Sequence, residues 1–491
     1  MSFHKLLNSI IDSQSVTKNS LINETGIDRS SFYQILSGKR IPTKDQITNI
    51  IHLLDISAAD EMALYDAFYL ERLGETNYHY LKFTEKCLNI IGSPTIDAES
   101  PNRQTHSILQ ELQDKQPNHL VDTGQSKIPT GTILYQSTDE IISGLTKFLI
   151  QASQKENNHL QVSLPFDLSS RIKLFATMRP LIVSGKFQNA TVSQILHFQT
   201  KNPNDITEKL DGFAFLLESV LAKETNITYN IYYYSNEQRV SKNSGVLFPF
   251  YIITDDACLL LNANASKGCL LTDSSLIGFM KEEFHSVFDH AEPFLSSFSQ
   301  KDLPQFQARS IPAEEVIFIQ KHPGACLMVT DDLVEKYIPE NFRDTLKQHF
   351  HFMQQMNASE GITLDGIREF AKSHVISESG FYVEPDTSDI INALEQLKSR
   401  LDSNLFVLDT RKIPVSDNWA FLLYPDKYAL LVPNKELDFI ICVSDPDIIQ
   451  ALTYTFHSVD FNDYILDKHY VKQEIQKLIS ENKNRVADQT L

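Results

Sequence analysis

The sequence predicts a multidomain chain, with an all-α head at the N-terminus and then a longer α/β (or α+β) region that contains one unit twice. Three observations carry this. Residues 15–57 show short helical patterns punctuated by Gly26, Gly38 and Pro42. From residue 132 onward, apolar runs of strand length alternate with helical patterns. Two stretches then repeat at an offset of 172, with Asp273 falling on Asp445. The predicted divisions are a head over 1–73, a helix and linker over 74–131, a first repeat over 132–300, and a second repeat with a C-terminal helix over 301–491.

Composition supports packed domains, since 42% of the 491 residues are hydrophobic. No run approaches the roughly 18 apolar residues that span a bilayer. The start, MSFHKLLNSIIDSQ, turns polar too early for a signal peptide. A cytoplasmic protein without membrane partners is expected. The cysteines (Cys87, Cys258, Cys269, Cys326, Cys442) are scattered, with no CxxC and no zinc-type spacing, so they read as reduced and buried.

Charge is distributed unevenly. Residues 1–44 carry Lys5, Lys18, Arg29, Lys39, Arg40 and Lys44 against Asp12, Glu24 and Asp28, a net of +3. The remaining 447 residues therefore hold −22 of the chain's −19. A surface that acidic repels a phosphate backbone, so any nucleic acid must meet the N-terminal segment.

In that segment Leu21 and Ile22 lie on a short helix ending at Thr25. Gly26 suits the left-handed turn that follows, Ile27 anchors it, and Asp28 caps the next helix. That helix has Phe32, Ile35 and Leu36 on one face and Arg29, Ser30, Tyr33, Gln34 and Ser37 on the other. Ser37-Gly38-Lys39-Arg40-Ile41-Pro42 stops it, and Thr43 caps a further helix bearing Ile47, Ile50, Ile51 and Leu54.

Leu21-Ile22, Gly26-Ile27-Asp28, Phe32, Ile35 and Ser37-Gly38-Lys39-Arg40 with Pro42 resemble the lambda-repressor/Cro-like (XRE) helix-turn-helix family of bacterial regulators, over about residues 3–70. Two positions depart from the family: Lys18 stands where Gln is common, and Ile22 where a small residue is usual. The resemblance implies an all-α helix-turn-helix domain that binds double-stranded DNA, with the second helix in the major groove. It implies base contacts by Arg29, Ser30 and Gln34, a sugar or thymine-methyl contact by Tyr33, and base or phosphate contacts by Ser31. Lys18, Asn19, Lys39 and Arg40 fall at phosphate-contacting positions. A homodimer is expected, because one such head makes few contacts.

Beyond the head, residues 58–72 and 76–91 read as helices, and residues 92–131 as a proline-punctuated linker with a short helix near 104–115. Ser137-Thr138-Asp139-Glu140 is a capping box opening an apolar helix. Strands follow at His159–Leu164, Val192–Phe198, Thr228–Tyr234, Leu247–Thr254 and Ala257–Ala263, with helices near 168–184, 205–223 and 273–289.

The repeat aligns Leu271–Val287 with Val443–Val459, sharing Phe-His-Ser-Val at 284–287 and 456–459. Upstream, Phe250–Leu261 and Ala420–Leu431 both read as strand, turn, strand. This predicts an internal duplication whose copies end in a strand–turn–strand–helix unit. Asp273 and Asp445 read as helix N-caps, and His285 and His457 as surface histidines. The ending is similar to the phospholipase-D-like effector domains of some transcription regulators. That family's HxKxxxxD motif is absent, since no histidine here is followed two residues on by lysine. The resemblance therefore implies no phosphodiesterase activity.

No HExxH, P-loop or GxSxG occurs, and His349 and His351 would diverge on a helix. Tyr232-Tyr233-Tyr234 offers a pocket lining or simply a strand. No catalytic residue, metal or cofactor is predicted. The expected function is a sequence-specific DNA-binding transcriptional regulator whose C-terminal region answers to a small-molecule or protein effector. The alternative is an effector or scaffold protein that uses its helix-turn-helix for autoregulation.

Overall fold

The computed structural model describes residues 2–14, 16–92, 131–153, 155, 159–165, 190–198, 206–221, 228–235, 248–299, 315–324, 329–340, 343–344, 346–348, 351, 357–378, 381–434 and 439–489. The expected helices at 104–115 and 168–184 lie outside these. The chain divides into two compact units, Met1–Phe83 and Thr84–Leu491.

The first unit is all-helical: α1 (Phe3–Asp12), α2 (Lys18–Thr25), α3 (Arg29–Leu36), α4 (Lys44–His52), α5 (Ala58–Leu73) and the first half of α6 (Glu75–Gly92). Each of α2 to α5 opens on a side-chain cap, from Thr17, Asp28, Thr43 and Ser57 in turn. Thr43 and Gln46 form a reciprocal capping box. Helices this short are marginal alone, so their stability comes from the shared core. Phe3, Leu7, Leu21, Ile27, Phe32, Ile35, Ile47, Ile50, Leu64 and Phe68 build that core, and Phe3 meets Phe68 edge-on at 5.9 Å.

The second unit is organised by one mixed 14-stranded sheet. Its strands are β1 (Thr132–Tyr135), β2 (His159–Pro165), β3 (Thr191–Phe198), β4 (Thr228–Ser235), β5 (Phe250–Ile253), β6 (Cys258–Leu261), β7 (Gly268–Leu271), β8 (Glu292–Ser299), β9 (Glu315–Ile319), β10 (Asn357–Thr363), β13 (Leu405–Leu408), β14 (Trp419–Tyr424), β15 (Tyr428–Pro433) and β16 (Phe439–Val443). A separate hairpin pairs β11 (Ile376–Glu378) with β12 (Phe381–Val383). Helices α7 (Thr138–Ala152), α8 (Ile206–Val220), α9 (Ser274–Phe288), α10 (Asp331–Tyr337), α11 (Leu364–Ser373), α12 (Thr387–Arg400), α13 (Pro446–His457) and α14 (Lys468–Gln489), with a 3-10 helix at Val459–Tyr464, complete the described elements.

Strand order reads β1-β7-β6-β5-β2-β3-β4, then β8-β16-β15-β14-β9-β10-β13. The same order of seven occurs twice. The directions repeat too: β2, β3 and β4 run parallel, as do β9, β10 and β13, and the other pairs within each set are antiparallel. The sets meet where β4 pairs antiparallel with β8. β8, which the sequence places at the end of the first copy, thus takes in the second set the place β1 holds in the first. Each set's antiparallel run also has a third strand, β7 or β16, between the expected strand pair and its helix.

Burial explains why these strands read as continuous apolar runs. β5 and β14 are buried along their whole length. Ile277 and Phe284 of α9 pack on Ile195, Tyr251 and Ile253, while Val471, Ile475 and Ile479 of α14 join the larger core of the second set.

Candidate nucleic-acid interface

The turn between α2 and α3 places Gly26 in the left-handed region at φ 67°, where a Cβ is disfavoured. Buried Ile27 pins that turn to the core. Asp28 then starts α3, its carboxylate accepting the Ser31 amide at 2.9 Å. Hydrogen bonding by the Ser31 hydroxyl and then by its amide holds the Asp28 carboxyl below the usual carboxylate range, with a smaller pull from Arg40.

α3 buries Phe32, Ile35 and Leu36 and exposes Arg29, Ser30, Tyr33 and Gln34. Tyr33 is 44% exposed, and the Arg29 guanidinium lies 5.9 Å from its ring centroid. Two of the four are thereby stacked on one another, one turn apart. Lys39 and Arg40 are exposed just beyond the helix. Gly38, at φ 72°, turns the chain so that the amides of Lys39 and Arg40 both donate to the Gln34 carbonyl, at 2.9 and 3.3 Å. The turn is also pressed against α1, since a Cβ on Gly38 would lie 2.6 Å from His4 Nδ1. From the same helix Asn8 donates to the Leu36 carbonyl at 2.7 Å.

Two predicted residues sit differently from the rest. Ser31 is only 8% exposed, and its hydroxyl accepts from Arg40 Nη1 at 2.5 Å. It is not on the outward face with its neighbours. Lys18 is half-buried and paired with Asp12 at 3.0 Å, while Asn19 beside it is exposed. The anchoring roles of His4 and Asn8 were not legible beforehand, because both act from α1 through packing and a backbone carbonyl.

A second polar cluster marks the joint between the strand sets. Lys209 of α8 lies 2.6 Å from Asp445 and 2.6 Å from Asp447, at the start of α13. The Asp445 side chain is fully buried, and desolvation raises its pKa despite the lysine. The Lys209 ammonium also stands 4.6 Å from the Tyr233 ring centroid, and the Tyr233 hydroxyl donates to Glu292 at 2.5 Å. Burial, then that bond, pushes the Tyr233 phenol well up. Tyr232 instead packs on Phe288 of α9, with ring centroids 4.3 Å apart. His285 and His457 are exposed, with partners in Gln161 and Glu315 respectively.

Among the described residues no group of three or more His, Cys, Asp or Glu could hold a metal ion, and no helix is long and apolar enough to cross a membrane. No family model matches the chain, and no curated protein matches it. Several solved structures are similar at low identity. TrmBL2, described as an archaeal chromatin protein with a novel mode of DNA binding, is 12% identical over 58% of this chain and 91% of its own, with a TM-score of 0.22. Phosphatidylserine synthase of Haemophilus influenzae Rd KW20 is 12% identical over 73% and 94%, with a TM-score of 0.22. NucT from Helicobacter pylori is 13% identical over 33% and 98%, with a TM-score of 0.19. At such TM-scores these likenesses carry no argument about function.

Proposed function

We propose that the first unit is a helix-turn-helix DNA-binding head and that the chain is a sequence-specific transcriptional regulator. The observation that supports this most is the outward face of α3. It carries Arg29, Ser30, Tyr33 and Gln34, flanked by exposed Lys39 and Arg40, within a net-basic N-terminal segment of an acidic chain. These side chains suit guanine and adenine edges in the major groove, while Lys39 and Arg40 suit phosphates. In this reading two heads act together as a homodimer, and the second unit binds an effector or partner rather than performing catalysis. The repeated strand order favours an origin of that unit by duplication.

The test is selection of fragmented genomic DNA by the purified full-length protein beside an Arg29→Ala/Gln34→Ala variant. A two-fold-symmetric motif, enriched by the wild type and lost in the variant, is the expected result. No enrichment at low salt, with cell extract supplied as a source of effector, would overturn the proposal.

A further inference from the structure

We propose that Asp28 and Ser31 form a relay that positions Arg40 as a preorganised phosphate clamp, so that Ser31 is a positioning residue and not a DNA contact. The inference rests on the DNA-binding reading above. Ser31 lies within the first turn of α3 yet is 8% exposed, which leaves its hydroxyl little room to meet a base or a phosphate. That hydroxyl instead accepts from Arg40 Nη1 at 2.5 Å, across nine residues of sequence. The Asp28 carboxylate holds the Ser31 amide at 2.9 Å, so the cap of the helix and the support of the arginine are one network.

The backbone of Arg40 is fixed as well, through its amide on the Gln34 carbonyl. A guanidinium has five N–H donors, so one bond inward leaves others for a phosphate outside. Arginine side chains lose substantial rotamer freedom on binding, and fixing the guanidinium beforehand removes part of that cost.

The test is a double-mutant cycle on the full-length protein, with binding to a fluorescein-labelled DNA duplex of mixed sequence read by anisotropy across a salt series. Ser31→Ala is expected to weaken binding by about 3- to 10-fold, the worth of one hydrogen bond. In the Arg40→Ala background the same change should have no effect, and Ser31→Thr should bind as the wild type does. Arg40→Ala should flatten the salt dependence by about one unit.

An equal Ser31→Ala loss in both backgrounds would show a fold defect and overturn the relay, as would wild-type affinity in Ser31→Ala. Failure of the wild type to bind the duplex even at low salt would instead overturn the DNA-binding reading itself.

Discussion

Lys209→Ala should destabilise the second unit strongly, and the loss should depend on pH. The lysine is the cation 2.6 Å from Asp445, whose side chain is fully buried. Its removal leaves a buried carboxylate held only by the N-terminal amides of α13, Asp447 and Ile448, both at 3.1 Å. Breaking a buried pair on one side costs about 3–5 kcal/mol. The residual capping bonds place this case near the lower end, about 3 kcal/mol.

The sign with pH follows from the raised pKa of Asp445. A carboxyl that is harder to ionise when folded favours the folded state at low pH and penalises it as pH rises through its folded pKa. Removing Lys209 raises that pKa further. The gap between variant and wild type should therefore be widest at neutral pH and narrow as pH falls toward the carboxylate range. Urea unfolding of the full chain, followed by fluorescence, reads this directly. Trp419 is the only tryptophan, and it is buried in β14 of the same unit. Lys209→Met with Asp445→Asn should recover part of the loss, because Asn still caps a helix and no charge stays buried. A deficit under 1 kcal/mol, or one that does not change with pH, would refute the reasoning.

Other outcomes follow for the head. Arg29→Ala should cost about 1–3 kcal/mol at one operator base pair and relax specificity there, measured by competition between single-base operator variants; a loss spread evenly over all sequences would exclude base readout. Lys39→Ala should weaken every sequence alike and reduce the slope of log affinity against log salt by about one unit in an anisotropy titration. Gly38→Ala combines a left-handed φ of 72° with a Cβ 2.6 Å from the His4 imidazole, whereas Gly26→Ala, at φ 67°, meets no atom within 4 Å. The Gly38 variant should lower the melting temperature of the first unit more than the Gly26 variant, whose cost of about 1 kcal/mol is the backbone strain alone; equal shifts would remove His4 from the account.

The head was legible because its signals are local. Gly26, Asp28, Gly38 and Thr43 each act within a few residues of themselves, through φ preference or a cap. Position on α3 followed from period alone, and it separated Phe32 and Ile35 from Tyr33 and Gln34. Ser31 escaped that logic. Its hydroxyl is engaged by Arg40 from beyond the helix, and no periodicity encodes a contact made by a loop. In the second unit, strands β2, β3 and β4 announced themselves by apolar runs with β-branched and aromatic residues. β1 is four residues of alternating exposure, and Gly268 opens β7, so neither stood out. Strand order itself was out of reach, because pairing between β8 and β16 joins residues well over a hundred positions apart.

The two strand sets show how one local pattern serves two surroundings. Asp273 and Asp445 cap α9 and α13 with the same pair of amide bonds. Yet Asp273 is exposed, while Asp445 lies under Lys209 in the joint. Phe279 of α9 is 56% exposed, and its counterpart at the 172-residue offset, Ala451, is fully buried. The reason stands beside Ala451. The Thr84 hydroxyl, in the second half of α6, lies 3.0 Å from that of Thr455 and 3.5 Å from the Ala451 carbonyl. A helix approaching that closely leaves no volume for a phenyl ring, so the position at the joint must be small. In the first set nothing among the described residues presses on α9 in that way, and the large side chain is tolerated. The capping aspartate therefore persists in both places because its work is local, whereas the residue six positions on differs because its size is set by a neighbour.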